Sequence, residues 1–272
     1  MELALAGCPF VVEPDSALAP FERVGLEALA LAGAAPARDV PPFRFALVDE
    51  APWPGADPAG YPDHAAADVR AVRGRLRVAH RRLLAEIDLE ALAGRVRRPT
   101  PEDGAVEIAL RVALCARLPS LGLLPLHAAG LVLDGAGIAF FGPSGAGKST
   151  LAGLAPGTVI SDELVAVAAE PATLFPTGFF GEIGRGRGIA APAQLAALVE
   201  LGRGAVFRLE RLAADQAFRR LLGVILAPPL PRAWSDAMAL AGRVTREVPV
   251  YRMEWAPEDP PWDRLRAALL SA

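Results

Sequence analysis

Alternation of apolar and polar residues predicts strands in the first part of the chain. FRFALV (43–48) and GRLRVAH (74–80) place apolar side chains at every second position, as half-buried strands do. RRLLAEIDLEALAGRVRR (81–98) fits either one helix or a pair of short strands, and its periodicity does not decide between them. APWPGADPAGYP (51–62) carries four prolines and predicts a loop without regular structure.

A helix is predicted between residues 100 and 119. PTPED (99–103) has the chemistry of a helix start, with Thr100 as cap, Pro101 in the first turn and two acids near the positive end. Apolar residues at helical spacing follow, from Val106 to Leu118.

The second half of the chain arranges predicted strands and helices around one glycine loop. LPLHAAGLVL (124–133) and IAFF (138–141) predict two strands joined by a tight turn at DGAG, and GPSGAGKSTLAGLA (142–155) predicts a glycine loop that opens a helix. The other predicted elements are strands at VISDELVAV (159–167), AVFRLE (205–210) and VPVYRMEW (248–255), and helices near 213–226, 233–246 and from 261 onwards.

Composition and charge indicate a globular chain with one unusual basic residue. The 272 residues are 53% hydrophobic with a formal net charge of -3, which suits a packed core and argues against a nucleic-acid partner. Lysine and arginine together number 28, and Lys148 is the one lysine among them. Where arginine is used everywhere else, a single lysine indicates a position that needs a compact ammonium rather than a forked guanidinium.

The sequence predicts neither a membrane partner nor export. Apolar runs stay short of the about 18 residues that a membrane span needs, and the chain opens without a basic leader. Cys8 and Cys115 form neither a CxxC pair nor a disulfide framework. We therefore expect a cytoplasmic protein.

Residues 142–149, GPSGAGKS, satisfy the pattern GxxxxGK[ST] of a phosphate-binding loop. Glycines let successive backbone N–H groups point at phosphate oxygens, and the helix that follows adds the positive end of its dipole. In this pattern Lys148 reaches the β- and γ-phosphates, and the Ser149 hydroxyl ligates magnesium.

An acidic pair, Asp162 and Glu163, follows Lys148 by only fourteen residues. A helix of about eight residues advances about 12 Å, so the next strand can return both acids to the phosphate end of the loop. Such a compact unit would hold magnesium and a catalytic base together. The alternative interpretation is that the two acids are merely a polar strand end.

The predicted hairpin also places His127 beside the loop. A longer turn pairs His127 with Ser144 across the hairpin, and a two-residue turn pairs it with Gly142. A histidine there can donate a proton or a hydrogen bond to a phosphate. A structural strand histidine is the alternative.

PTGFFGEIGRGRGIAAP (176–192) is rich in glycine and carries Arg185 and Arg187. On a mobile loop, these two arginines would clamp a transferring phosphoryl group or an anionic substrate. A solvated flexible loop explains the segment equally well.

Taken together, LHAAGLVLDGAGIAFFGPSGAGKST followed by SDELV resembles the catalytic domain of HPr kinase/phosphorylase, and most closely the smaller HPr-kinase-related proteins of peptide-modification gene clusters. The resemblance covers about residues 120–255. It implies an α/β fold shared with phosphoenolpyruvate carboxykinase: a mixed sheet around a P-loop, with helices on one side. We expect this catalytic domain to span 120–272, and a smaller α+β accessory or substrate region to span 1–119.

The resemblance also implies roles for particular residues. His127 matches the family histidine, Asp162 the base that deprotonates the acceptor hydroxyl, and Glu163 the second acid, which in the family is an Asp that binds metal. Lys148, Arg185 and Arg187 complete the expected catalytic set. The expected metal ligands are Ser149, Asp162 and Glu163, and the expected nucleotide-binding residues are Gly142, Pro143, Ser144, Gly145, Ala146, Gly147, Lys148, Ser149 and Thr150.

The chain departs from the family at two places. Thr150 stands where HPr kinases often carry Glu, so HPr itself is not the expected acceptor. The family motif Glu-hydrophobe-Arg-Gly is met only loosely, because Gly184 intervenes between Glu182-Ile183 and Arg185-Gly186.

The leading hypothesis is an ATP- and magnesium-dependent kinase that phosphorylates a hydroxyl of a peptide, a protein or a small molecule, with a homo-oligomer possible. A nucleotide-binding sensor or assembly protein without phosphoryl transfer is the second hypothesis. A carboxykinase-like lyase ranks last, because it needs a second metal site with lysine and this chain has no lysine beyond Lys148.

Overall fold

The chain is a mixed α/β protein with two mixed sheets. The computed structural model describes residues 1–15, 18, 20–32, 40–48, 67–80, 83–97, 105–183 and 191–270, and within them it contains sixteen strands and six α-helices. The chain divides into two compact units. The first comprises residues 1–117 and 227–234, and the second comprises residues 118–226 and 235–272. Among the described residues, the helices are all too short or too polar to cross a membrane.

The first unit is built on a seven-stranded sheet in the order β1-β2-β3-β7-β6-β5-β4. The β2–β3 and β3–β7 pairs are parallel and the others are antiparallel. Its elements are β1 (Glu2–Leu5), β2 (Cys8–Pro14), α1 (Pro20–Ala32), β3 (Phe43–Val48), β4 (Asp68–Val72), β5 (Arg75–His80), β6 (Leu83–Asp88), β7 (Ala93–Arg97) and α2 (Ala105–Arg117).

The predicted strands at 43–48 and 74–80 are confirmed, and the ambiguous segment 81–98 forms the strand pair β6–β7. Three buried rings from β2 and β3 stack in the core of this unit, with the Phe43 and Phe45 centroids 5.0 Å apart. The predicted loop at 51–62 and the predicted helix start at 99–103 lie outside the described residues.

The second unit is built on a nine-stranded sheet that carries the glycine loop. Its main path runs β11-β9-β10-β14-β13-β12-β8, and β16 joins β14 to β15. Its strands are β8 (Leu124–Leu126), β9 (Ala128–Leu133), β10 (Ala136–Phe141), β11 (Thr158–Ser161), β12 (Val165–Ala169), β13 (Ala172–Pro176), β14 (Ala193–Arg203), β15 (Arg208–Arg211) and β16 (Val250–Trp255).

Helices in the C-terminal half follow the predicted order with shifted ends. They are α3 (Lys148–Gly153), α4 (Ala214–Leu222), α5 (Pro231–Glu247) and α6 (Trp262–Leu269). A buried cluster that includes Phe140, Leu151, Val199 and Trp255 packs α3 and α6 against β10, β14 and β16.

The β9–β10 hairpin has the shorter of the two turns considered. Ala136 pairs with Leu133 and Phe141 with Ala128, so Asp134 and Gly135 alone form the turn. Both turn residues have positive φ, 50° and 85°, as a two-residue type I′ turn requires.

The prediction of one strand over 159–167 is wrong. The segment forms two strands that pair with different neighbours, β11 with β9 and β12 with β8 and β13. At the end of β11, the Ser161 hydroxyl accepts hydrogen bonds from the backbone N–H groups of Glu163 and Leu164. These contacts turn the chain away from β9. A polar residue that binds nearby backbone competes with a sheet ladder in this way.

Gly157 lies where a side chain cannot fit. A Cβ atom there would come within 2.1 Å of the Val132 carbonyl oxygen on β9, whereas a Cβ at Gly153 in α3 would meet nothing within 4 Å. We expect Gly157→Ala to lower the free energy of unfolding by about 1–3 kcal/mol through overpacking. Gly153→Ala, the matched control, should be neutral or stabilising by up to about 1 kcal/mol, since alanine favours helix. Urea unfolding of both variants tests this, and equal midpoints would contradict it.

Candidate functional site

Antiparallel pairing with β9 brings three chain segments to one edge of the second sheet. β10 and β11 both pair antiparallel with β9, so both run towards the end where β9 begins. β10 ends at Phe141, immediately before the glycine loop, and β11 ends at Ser161, immediately before Asp162. His127 precedes the first residue of β9. Loop, acids and histidine therefore meet at this edge.

Two side chains, those of Trp255 and Arg203, lie against the glycine loop. Gly147 has φ of 94°, and a Cβ there would come within 3.3 Å of the Trp255 ring, so the tight turn into α3 needs glycine. Arg203 Nη2 donates a hydrogen bond of 2.7 Å to the Gly145 carbonyl oxygen. Trp255 at the end of β16 and Arg203 at the end of β14 thus set the position of the loop.

Lys148 is buried at the start of α3, with 7% of its surface exposed. Its Nζ donates to the carbonyl oxygens of Gly142, at 3.0 Å, and Pro143, at 3.3 Å. Burial lowers the pKa of Lys148, and the Glu163 carboxylate acts in the opposite direction. The ammonium therefore lies inside the loop, within the field of one of the two acids.

Asp162 and Glu163 have different surroundings. Asp162 is only 2% exposed, and its Oδ1 and Oδ2 accept hydrogen bonds from the backbone N–H groups of Gly181, at 2.7 Å, and Ile183, at 3.1 Å. The Glu163 side chain is 29% exposed, and its Oε2 lies 3.9 Å from His127 Nδ1.

His127 is oriented by the backbone of the acidic pair. Its Nδ1 lies 2.9 Å from the Glu163 carbonyl oxygen. A carbonyl oxygen only accepts, so Nδ1 carries the proton in this contact, and Nε2 is the nitrogen left for a further partner. His127 is thereby fixed beside the cavity described next.

One polar cavity of about 260 Å³ joins most of the predicted site residues. It is lined by His127, Ser144, Gly145, Gly147, Lys148, Ser149, Asp162, Glu163, Gly181 and Glu182. Gly142 and Pro143 face Lys148 with their carbonyl groups instead. Arg185 and Arg187 lie outside the described residues. Gly181 and Glu182 were not among the predicted site residues, although both belong to the glycine-rich segment 176–192, which was the signal that pointed to them.

A second cavity, of about 460 Å³, also adjoins the glycine loop. Ala146, Gly147, Thr150, Arg203, Gly204, Trp255, Ala256 and Pro257 line it. Two predicted loop residues, Ala146 and Thr150, thus belong here and not to the polar cavity. Sequence reasoning missed this cavity, although a tryptophan that ends the strand VPVYRMEW is a signal that could have pointed to it.

The donor groups in the polar cavity fit magnesium better than a transition metal. Ser149 supplies a hydroxyl and Glu163 a carboxylate, and magnesium typically takes one or two carboxylates together with substrate phosphates. In the described ranges there is no cluster of three or more His, Cys, Asp or Glu side chains that would hold a metal unaided. A metal bound here would therefore depend on a phosphate ligand.

Comparison with protein-family models and with curated proteins finds no match for this chain. The interpretation of the site accordingly depends on its own geometry and on the resemblance in its motifs.

Ser161 is the buried residue that fixes the acidic pair. Its hydroxyl donates to the Phe179 carbonyl oxygen at 2.6 Å and accepts from the N–H groups of Glu163 and Leu164 at 3.0 Å. Ser161→Ala leaves three backbone groups, two of them buried, without this partner, and we expect it to lower the free energy of unfolding by about 2–3 kcal/mol. Exposed Thr158→Ala on the same strand is the control and should change it by less than about 0.5 kcal/mol. Equal urea midpoints would rule out the anchoring role.

Proposed function

We propose that the chain is an ATP- and magnesium-dependent kinase that transfers the γ-phosphoryl group of ATP to a hydroxyl acceptor. The observation that carries this proposal is the polar cavity, in which Lys148 and Ser149 of the glycine loop face the Asp162–Glu163 pair. Phosphoryl transfer needs mainly positioning and neutralisation of charge, and a lysine, a metal and a base supply both.

The order of strands supports the same family as the motifs. A hairpin strand enters the loop, and an acidic pair follows the next strand, antiparallel to the first arm of that hairpin. We infer that residues 120–272 adopt the phosphoenolpyruvate carboxykinase-like P-loop fold implied by the resemblance to HPr-kinase-related proteins.

In the proposed reaction the acceptor oxygen forms a bond to the γ-phosphorus as the bond to the β,γ-bridging oxygen breaks, which yields ADP, a phosphate ester and one proton. Lys148 neutralises charge on the β- and γ-phosphates, and His127 donates a hydrogen bond from Nε2 to a phosphate oxygen when both of its ring nitrogens carry a proton. Ser149 and Glu163 would hold magnesium, which shields the phosphate charge when bound. The resemblance assigns the acceptor proton to Asp162. Arg185 and Arg187 remain a proposed phosphoryl clamp.

The cavity at Trp255 supports a nucleotide, rather than pyrophosphate, as phosphate donor. It adjoins the loop at Gly147, and its lining includes the exposed guanidinium of Arg203 and the small accessible part of the Trp255 ring, which is 4% exposed. A planar base can stack on an aromatic or a guanidinium face, whereas pyrophosphate has no group to fill such a space. We therefore place the base of the nucleotide there.

A nucleotide sensor or assembly protein is the second candidate function. The contact of Lys148 Nζ with two carbonyl oxygens of its own loop favours it, because the ammonium already has partners before a phosphate arrives. The kinase and the sensor would both bind a nucleotide, and only the kinase would transfer phosphate from it.

Phosphorus NMR of ATP and magnesium with free serine, a serine-ended peptide or pyrophosphate tests the kinase. We expect a new phosphorylated product with the wild-type protein, and its loss by at least about 100-fold in Lys148→Met, since the ammonium that neutralises the phosphates is removed. Thr158→Ala, remote from the loop, serves as the active control. Wild-type protein that binds ATP but leaves it unchanged in every mixture would overturn the kinase in favour of the sensor.

Trp255→Leu tests the base site. Stacking on an aromatic ring contributes about 1–3 kcal/mol, so the affinity for Mg-ADP should fall about 10-fold while the affinity for pyrophosphate changes less than about twofold. Trp262→Leu removes another buried tryptophan that does not line the cavity, and should leave the ratio of the two affinities unchanged. Calorimetric titration of both ligands measures this ratio. Equal losses for ADP and pyrophosphate in Trp255→Leu would contradict the assignment.

A further inference from the structure

The two acids of the cavity have unequal access to a ligand. Asp162 is 2% exposed and each of its oxygens accepts a backbone hydrogen bond, from Gly181 and from Ile183. Glu163 has a side chain that is 29% exposed and acts electrostatically on Lys148. Glu163, the longer and more exposed acid, is therefore the one of the pair whose charge acts on the pKa of Lys148.

Asp162 belongs to a series of contacts that joins residues 161–164 to residues 177–183. Thr177 Oγ1 donates to the Leu164 carbonyl oxygen at 2.6 Å, and the Phe179 carbonyl oxygen accepts from Ser161 Oγ. The N–H groups of Gly181 and Ile183 then bind the two oxygens of Asp162. Residues 177, 179, 181 and 183 are thus each bound to residues 161–164, although the segment bends at Gly178, which has φ of 83°, and turns at 181–183. Asp162 makes the last two contacts of this series.

Gly181 has no side chain at the point where the acids converge. A Cβ there would lie 3.3 Å from Asp162 Oδ2 and 3.3 Å from Glu163 Oε2. The backbone at Gly181 therefore approaches both carboxylates closely, and its N–H is already donated to Asp162. The hydrogen bond from Gly181 to Asp162 therefore also sets the position of the cavity wall beside Glu163.

We infer that Asp162 is a positioning residue, which holds the 181–183 backbone against the cavity, and that Glu163 is the acid that contacts the metal and the reactants. This inference rests on the proposed kinase for the role of Glu163. The role of Asp162 rests only on its hydrogen bonds and burial. It differs from the assignment implied by the family resemblance, in which Asp162 is the base.

Amide hydrogen exchange measured by NMR tests the role of Asp162 without any turnover. Asn at position 162 keeps one acceptor oxygen but presents an NH₂ group to the second donor. We expect Asp162→Asn to lose protection at Gly181 or Ile183 by at least about 10-fold, whereas Glu163→Gln keeps wild-type protection at both. Wild-type protection at both amides in Asp162→Asn would overturn the positioning role.

Steady-state kinetics and Mg-ADP titration of the same two variants test Glu163. We expect Glu163→Gln to lower kcat at least about 100-fold and to weaken the magnesium dependence of ADP binding. Asp162→Asn should keep measurable transfer, with a raised KM and less than about a 20-fold loss in kcat. A kcat loss above about 1,000-fold in Asp162→Asn alone, with amide protection intact, would identify Asp162 as the base instead.

Failure of the kinase proposal gives a different result. If the wild-type protein transfers phosphate to no acceptor, the kinase fails, while exchange at Gly181 and Ile183 still decides whether Asp162 holds this backbone. Gly181→Ala gives an independent check, because its new methyl group would contact both acids. We expect it to weaken Mg-ADP binding at least about fivefold, and an unchanged affinity would contradict the close approach of Glu163.

Discussion

Antiparallel pairing of β9 with β10 on one side and with β11 on the other is the constraint on which the candidate site depends. Strands that are both antiparallel to a third run in the same direction and end at the same edge of the sheet. The pairs Phe141–Ala128 and Ser161–Gly130 fix where these ends lie. The pairing of β9 with β10 and β11 is therefore what brings the glycine loop and the two acids to the same end of the sheet.

The parts of this arrangement that depend on neighbouring residues could be predicted from the sequence. Asp134-Gly135 predicts a tight hairpin turn, and although the sequence left two registers open, either one places His127 beside the loop. The glycine loop was predictable for the same reason, since the adjacent residues GPSGAGKS form the motif and Gly147 takes the positive φ that the turn into α3 requires. In both cases a few adjacent residues carry the whole constraint.

Long-range pairing could not be predicted in the same way. β14 is the central strand between β10, β13 and β16, yet AQLAALVELGR is rich in alanine and leucine and has no strand alternation or turn signal of its own. The strand break after Ser161 was also missed, because β11 pairs with β9 whereas β12 pairs with β8 and β13, and the apolar pattern of 159–167 does not specify these partners. The two cavities form where these paired strands end, so only part of the residues that line them could be predicted from the sequence.

The single lysine of the chain illustrates how the site depends on its surroundings. Lys148 is buried, and its ammonium satisfies itself on two loop carbonyl oxygens, at 3.0 and 3.3 Å. A guanidinium has five N–H donors in a fixed plane, so a buried arginine there would leave donors without acceptors. Arginine serves at Arg203, where one N–H reaches the loop from outside and the rest of the group stays exposed. The choice of cation at each position therefore follows from burial and donor number: lysine lies inside the glycine loop, and arginine supports the loop from outside.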